Sequence, residues 1–97
     1  MENNTKKICV ELNEYNAELG RTVEAMLSPD YNERFRAEYY QLDARYRKLD
    51  AMLAKAHAGT LEFTLTCPVN LLEWQLEVMG HYLAILERRA ILEGVSL

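Results

Sequence analysis

Phe35, Tyr39, Leu42, Tyr46, Leu49 and Leu53 follow one another at steps of 4, 3, 4, 3 and 4, and Leu72, Leu76, Met79, Leu83, Leu86 and Ala90 repeat the same steps further along the chain. Only an α-helix returns successive side chains to one side at that spacing. At about 100° per residue the first six lie within about ±40° of one direction, so Tyr39 and Tyr46 belong to a buried stripe. The spacing predicts helices over 31–57 and 69–93, with Gly59 a stop signal for the first and Gly94 for the second. Two such rods with a short link between them form an antiparallel hairpin. Sustained heptad spacing also suits packing against another copy of the chain.

A third apolar line, Ile8, Leu12, Tyr15, Leu19, Val23 and Met26, predicts an N-terminal helix over about 5–27. Thr5, Asn3 or Asn4 can cap its start. Gly20 weakens its middle, and Ser28-Pro29-Asp30 ends it, because the residue before a proline avoids the helical region. Between the two heptad segments, Leu61, Phe63 and Leu65 alternate with Glu62, Thr64 and Thr66. The alternation predicts an extended connection over 59–67 that straps Phe63 against the helices. Pro68 suits a first helical turn, and Asn70 with Glu73 can form a capping box. The third helix has a second apolar flank of Leu71, Val78, Tyr82, Ile85 and Leu92, with Trp74 beyond it. A helix so apolar must touch more than one neighbour. It is expected to be the central element, with the first helix or a second chain on that flank. The expected fold is all-α, a long helical hairpin plus an N-terminal helix in a three-helix bundle, as one domain over 1–97 and as a homo-oligomer.

The 97 residues leave little core for a lone domain, which self-association would relieve. The longest stretches without charge, such as Phe63 to Leu72, are too short for a membrane span, and the N-terminus has no secretory core. A cytoplasmic protein is expected. Cys9 and Cys67 stand outside any CxxC motif and read as free thiols. With His57 and His81 they match no zinc spacing. The net charge of −4 is uneven: residues 1–30 carry −3, residues 31–59 carry +2, and residues 60–97 carry −3. That balance argues against non-specific binding of duplex DNA.

No nucleophile motif, glycine-rich phosphate loop or metal-ligand cluster is present, so neither catalysis nor a cofactor is expected. Two surface features remain. On the second helix, Arg36, Tyr40 and Arg47 share one exposed side, offering planar forks for phosphate and a stacking face. The simpler reading is that Asp43 and Asp50 pair with those arginines along the helix. On the third helix, Gln75, Tyr82 and Arg89 recur every seven residues beside the apolar seam, with Arg88 adjacent. They are either a polar line that fixes the register of packed helices or a ligand-binding edge at a subunit junction.

The last half of the chain carries a longer pattern: Leu71, Leu72, Gln75, Leu76, Met79, Tyr82, Leu83, Leu86, Arg89 and Ala90. It resembles a family of small helical proteins of phages and prophages of gut bacteria, related to a crAss-like phage protein. In size and architecture it is similar to helical anti-defence proteins, among them oligomeric sponges that take up the cyclic nucleotides or related signals of CBASS and Thoeris immunity. The resemblance implies a phage-encoded, non-enzymatic protein that binds a nucleotide-derived immune signal in the infected cell. Arg36, Arg47, Arg88 and Arg89 would then hold phosphates, and Tyr40 and Tyr82 would stack or hydrogen-bond. Two alternatives stay open: a protein-binding inhibitor of a host effector such as CRISPR–Cas, and a structural or accessory virion protein.

Overall fold

The computed structural model describes the backbone of residues 2–97 and side chains from Glu14 onward. Thr5, Ile8, Cys9 and Leu12 lie outside the described side chains. The fold is all-α: α1 spans Glu2–Met26, α2 spans Tyr31–Ala58 and α3 spans Val69–Glu93. The described residues contain no β-strand.

Local chemistry sets the helix ends. Asp30 is the N-cap of α2, its carboxylate accepting from the Asn32 N–H at 3.0 Å. This satisfies one of the donors that a helix start leaves unpaired. The Ser28 hydroxyl accepts from the Asp30 N–H, and Arg34 donates back to the Ser28 carbonyl at 2.7 Å, so the α1–α2 turn is pinned from both sides. Gly59 and Gly94 close α2 and α3 in the left-handed region, each at φ 73°. There the N–H groups of Thr60 and Val95 reach back to the carbonyls of Lys55 and Ala90. Pro68 occupies the N-cap position of α3 rather than its first turn, without a side-chain cap. The capping box does not form: α3 starts at Val69, so Asn70 lies inside the helix, and Glu73 lies 3.1 Å from His57 at the end of α2.

Helix α2, not α3, is the centre. It packs against α1 on one side and α3 on the other, and among the described residues α1 and α3 do not touch. The stripe toward α3 is the heptad line of α2. Phe35 and Leu53 are buried, and Tyr39 and Leu42 are partly buried against Leu86, Ala90 and Val95. Val95, which follows the last helix, completes this cluster. Toward α1 the seam is built from small residues, Ala37 and Ala44, each 2% exposed. On the α2 wheel these two stripes point about 170° apart. The three helices therefore lie side by side in a plate of 46 × 29 × 18 Å.

Two expectations fail for reasons the geometry supplies. Among the described side chains of α1 the buried residue is Thr22, while Val23 is 53% exposed. The alanine seam brings the helices close, and a small side chain whose hydroxyl bonds the Leu19 carbonyl at 2.6 Å fits there. In the connection, Leu61 and Leu65 are half-buried, but Phe63 is exposed. Bends at 62–63 and 66–67 break the alternation, so residues four apart, not two apart, turn inward.

Candidate functional site

A plate with α2 in the middle has two broad faces, and the residues singled out from the sequence divide between them. From the direction of α3, Glu38, Gln41 and Arg45 project to one side of α2 by about 90°, and Arg36, Tyr40, Asp43 and Arg47 to the other by about 110°.

The arginines of the second face are engaged in internal pairing. Arg47 donates to Asp43 at 3.0 Å and also bridges to Glu18 of α1, so it ties α1 to α2. Those two acids, Glu18 first, hold its guanidinium even more firmly protonated than usual. Arg36 reaches the Ser96 carbonyl at 3.5 Å. Tyr40 is exposed and meets Tyr39 edge-on, with ring centres 5.3 Å apart. Tyr39 itself donates to Glu87 at 2.7 Å, and that bond, with burial, pushes its phenol up to about 12.

The first face holds a groove. Its floor is Glu38, Gln41, Leu42 and Arg45 of α2, its wall is Gln75, Met79 and Tyr82 of α3, and its volume is about 260 Å³. Tyr82 donates to the Glu38 carboxylate, which raises the phenol above its ordinary range and fixes both side chains across the helix pair. Gln75 rests its amide against the Met79 sulfur at 3.8 Å. Arg45 is exposed, and among the described residues no hydrogen bond or ion pair engages it. The groove thus offers an exposed guanidinium, an amide, an oriented phenol and apolar contact from Leu42 and Met79. That mixture suits a small, partly anionic, partly flat solute. Of the predicted residues, Gln75 and Tyr82 line it.

Arg89 sits at the far end of the same face. It donates to Glu93 at 2.9 Å and to the Tyr31 hydroxyl at 3.1 Å, and its guanidinium lies 5.1 Å from the centre of the Phe35 ring. Tyr31 also donates to Glu93, and these two bonds, Tyr31 first, keep the Glu93 carboxyl below its usual range. Arg88 is exposed and points away from the groove. The sequence reading missed Arg45, Glu38 and Gln41. Their common side on α2 is visible from the 3.6-residue period. That this side faces the Gln75–Tyr82 flank of α3 depends on the hand of the hairpin, which periodicity does not carry.

Among the described residues, no group of three His, Cys, Asp or Glu is placed to hold a metal ion. Cys67 is an exposed free thiol. No described helix is long and apolar enough to cross a membrane. No curated protein and no solved structure matches the chain. The family model Sequestin matches residues 29–92, which take in the α2 cap, all of α2, the connection and nearly all of α3. Both groove walls fall inside that match, and α1 falls outside it. By this match the chain belongs to the Sequestin family, whose name denotes sequestration.

Proposed function

We propose that the protein is a phage-encoded sponge, acting in the cytoplasm of the infected cell, that holds a nucleotide-derived immune signal without converting it. The signal is of the cyclic nucleotide or cyclic ADP-ribose type, and the working form is an assembly of identical chains. The observation that carries this reading is the α2–α3 groove, where the exposed guanidinium of Arg45, unpaired among the described residues, stands beside the Tyr82 phenol and the Gln75 amide. Arg45 supplies a planar fork for a phosphate, Tyr82 and Met79 supply contact for a base, and Gln75 supplies a directional amide.

The test is calorimetric titration against a panel of cyclic di- and trinucleotides and cyclic ADP-ribose isomers, followed by recovery of the ligand after denaturing the protein. Binding with intact recovery is expected from at least one member. Arg45→Ala is expected to weaken it by about tenfold or more, the scale of one charge-assisted hydrogen bond. Arg47→Ala, on the opposite face, is expected to leave it within about threefold, because the ion pairs it loses are exposed. Silence across the panel from folded protein rejects the reading. Loss with Arg47→Ala but not Arg45→Ala moves the site to the other face.

A further inference from the structure

The outer side of α3 carries a line that the fold leaves uncovered. Leu71, Val78, Ile85 and Leu92 recur at intervals of seven and are 48%, 53%, 58% and 77% exposed. Trp74, 65% exposed, and Tyr82, 42% exposed, flank them. The line runs about 32 Å along the helix. Its six large side chains leave on the order of 700 Å² open to water, close to the roughly 800 Å² that each partner contributes to a standard stable interface. A lone chain rarely exposes a contiguous apolar surface of that size.

We infer that this line is the surface on which a second copy docks, α3 against α3 and antiparallel, with the two-fold axis between His81 and Tyr82. Three observations select that occupant and direction. The line is self-complementary about that point: Leu71 falls opposite the second copy's Leu92, and Val78 opposite its Ile85. The flank beside it, Gln75, Tyr82 and Arg89, inverts onto itself about Tyr82, half a residue from that point, which brings the second copy's Arg89 near Gln75 and the two Tyr82 side chains near each other. A parallel pairing instead stacks Arg88 and Arg89 on their own copies and aligns the helix dipoles, both unfavourable. The chain's acidic balance works against an anionic partner, and the line itself contains no carboxylate.

The inference deepens the assembly named in the proposed function and rests on that part of it, not on the ligand. Gln75 and Tyr82 form the groove wall that borders the line, so the second copy stands beside the open side, with its Arg89, held by its own Glu93 and Tyr31, toward the Gln75 end.

The experiment uses the full chain without ligand. Light scattering is expected to give twice the 11.3 kDa chain mass. Trp74 is the sole tryptophan, so its emission reports the same surface and is expected to shift to the red on dilution. Val78→Lys and Ile85→Glu are each expected to give the mass of one chain with unchanged helical circular dichroism, both sites being exposed. The double variant V78K/I85E, which sets Lys against Glu twice across the axis, is expected to restore the doubled mass. Wild-type protein at the single-chain mass, or single variants that stay paired, overturn the surface. A double variant that stays single overturns the antiparallel register. A paired protein that binds nothing in the nucleotide panel leaves this inference standing and rejects only the ligand.

Discussion

Gly20 interrupts α1 without any packing reason, since a Cβ built there meets nothing within 4 Å. Gly20→Ala is expected to raise stability by about 0.5–1 kcal/mol, seen as a higher urea midpoint at unchanged slope. Gly59 and Gly94 have equally open surroundings but φ of 73°, so alanine at either is expected to destabilise by about 1 kcal/mol through backbone strain alone. The sequence announced all three glycines, and the two at helix ends were legible as stops. Tyr39 makes a sharper statement about pH. Its neutral phenol donates to Glu87, and its pKa rises from 10.0 to about 12. A raised folded-state pKa means the unfolded chain ionises first. The contribution is therefore complete below about pH 10 and disappears as the pH climbs through about 12. Denaturant midpoints are expected to fall across that window, and to fall less in Tyr39→Phe, which is less stable at neutral pH by about 1 kcal/mol.

At the scale of elements, the two sides of α2 were unequally legible. The side toward α3 consists of Phe35, Tyr39, Leu42, Tyr46 and Leu53, whose size makes the period obvious. The side toward α1 consists of Ala37 and Ala44, which carry little hydrophobic signal yet permit the closest approach. Reading only large side chains therefore made α3 the centre and put Val23 inward. The same seam gives a test. Ala44→Leu places three extra carbons where α1 already lies, and the overpacking is expected to cost about 1–3 kcal/mol. Because α1 contacts only α2 among the described residues, hydrogen exchange is expected to speed up in α1 while α2–α3 amides keep their protection. Uniform loss of protection across all three helices would show that the plate unfolds as one unit instead. Arg47 and the Lys48 ammonium, 4.2 Å from the centre of the Tyr15 ring, reinforce this seam from outside, each by well under 1 kcal/mol where solvent reaches them.

At the scale of the molecule, the fold class was readable because three apolar periodicities leave little else to build, and the positions of Gln75 and Tyr82 beside a seam were readable from the same period. The groove was not, because it arises where two helix flanks meet, and the side on which they meet is a property of the hairpin. On the tyrosine–arginine side of α2, the pairing of Arg47 with Asp43 was legible from their spacing, whereas Glu18 and the Ser96 carbonyl, which meet Arg47 and Arg36, come from other segments. The plate is 18 Å through its thinnest direction, little more than one layer of helix. A body that thin has no interior in which to enclose a solute and can offer only half an enclosure. Should the enclosure close by two chains meeting, uptake depends on chain pairs, whose number grows with the square of chain concentration while most chains are single. Free signal titrated with rising protein is then expected to trace a lagging, upward-curving depletion, and a simple hyperbola from the first addition speaks for single-chain capture. On the proposed function, such a curve makes the timing of expression decisive: a half-dose gives well under half the protection.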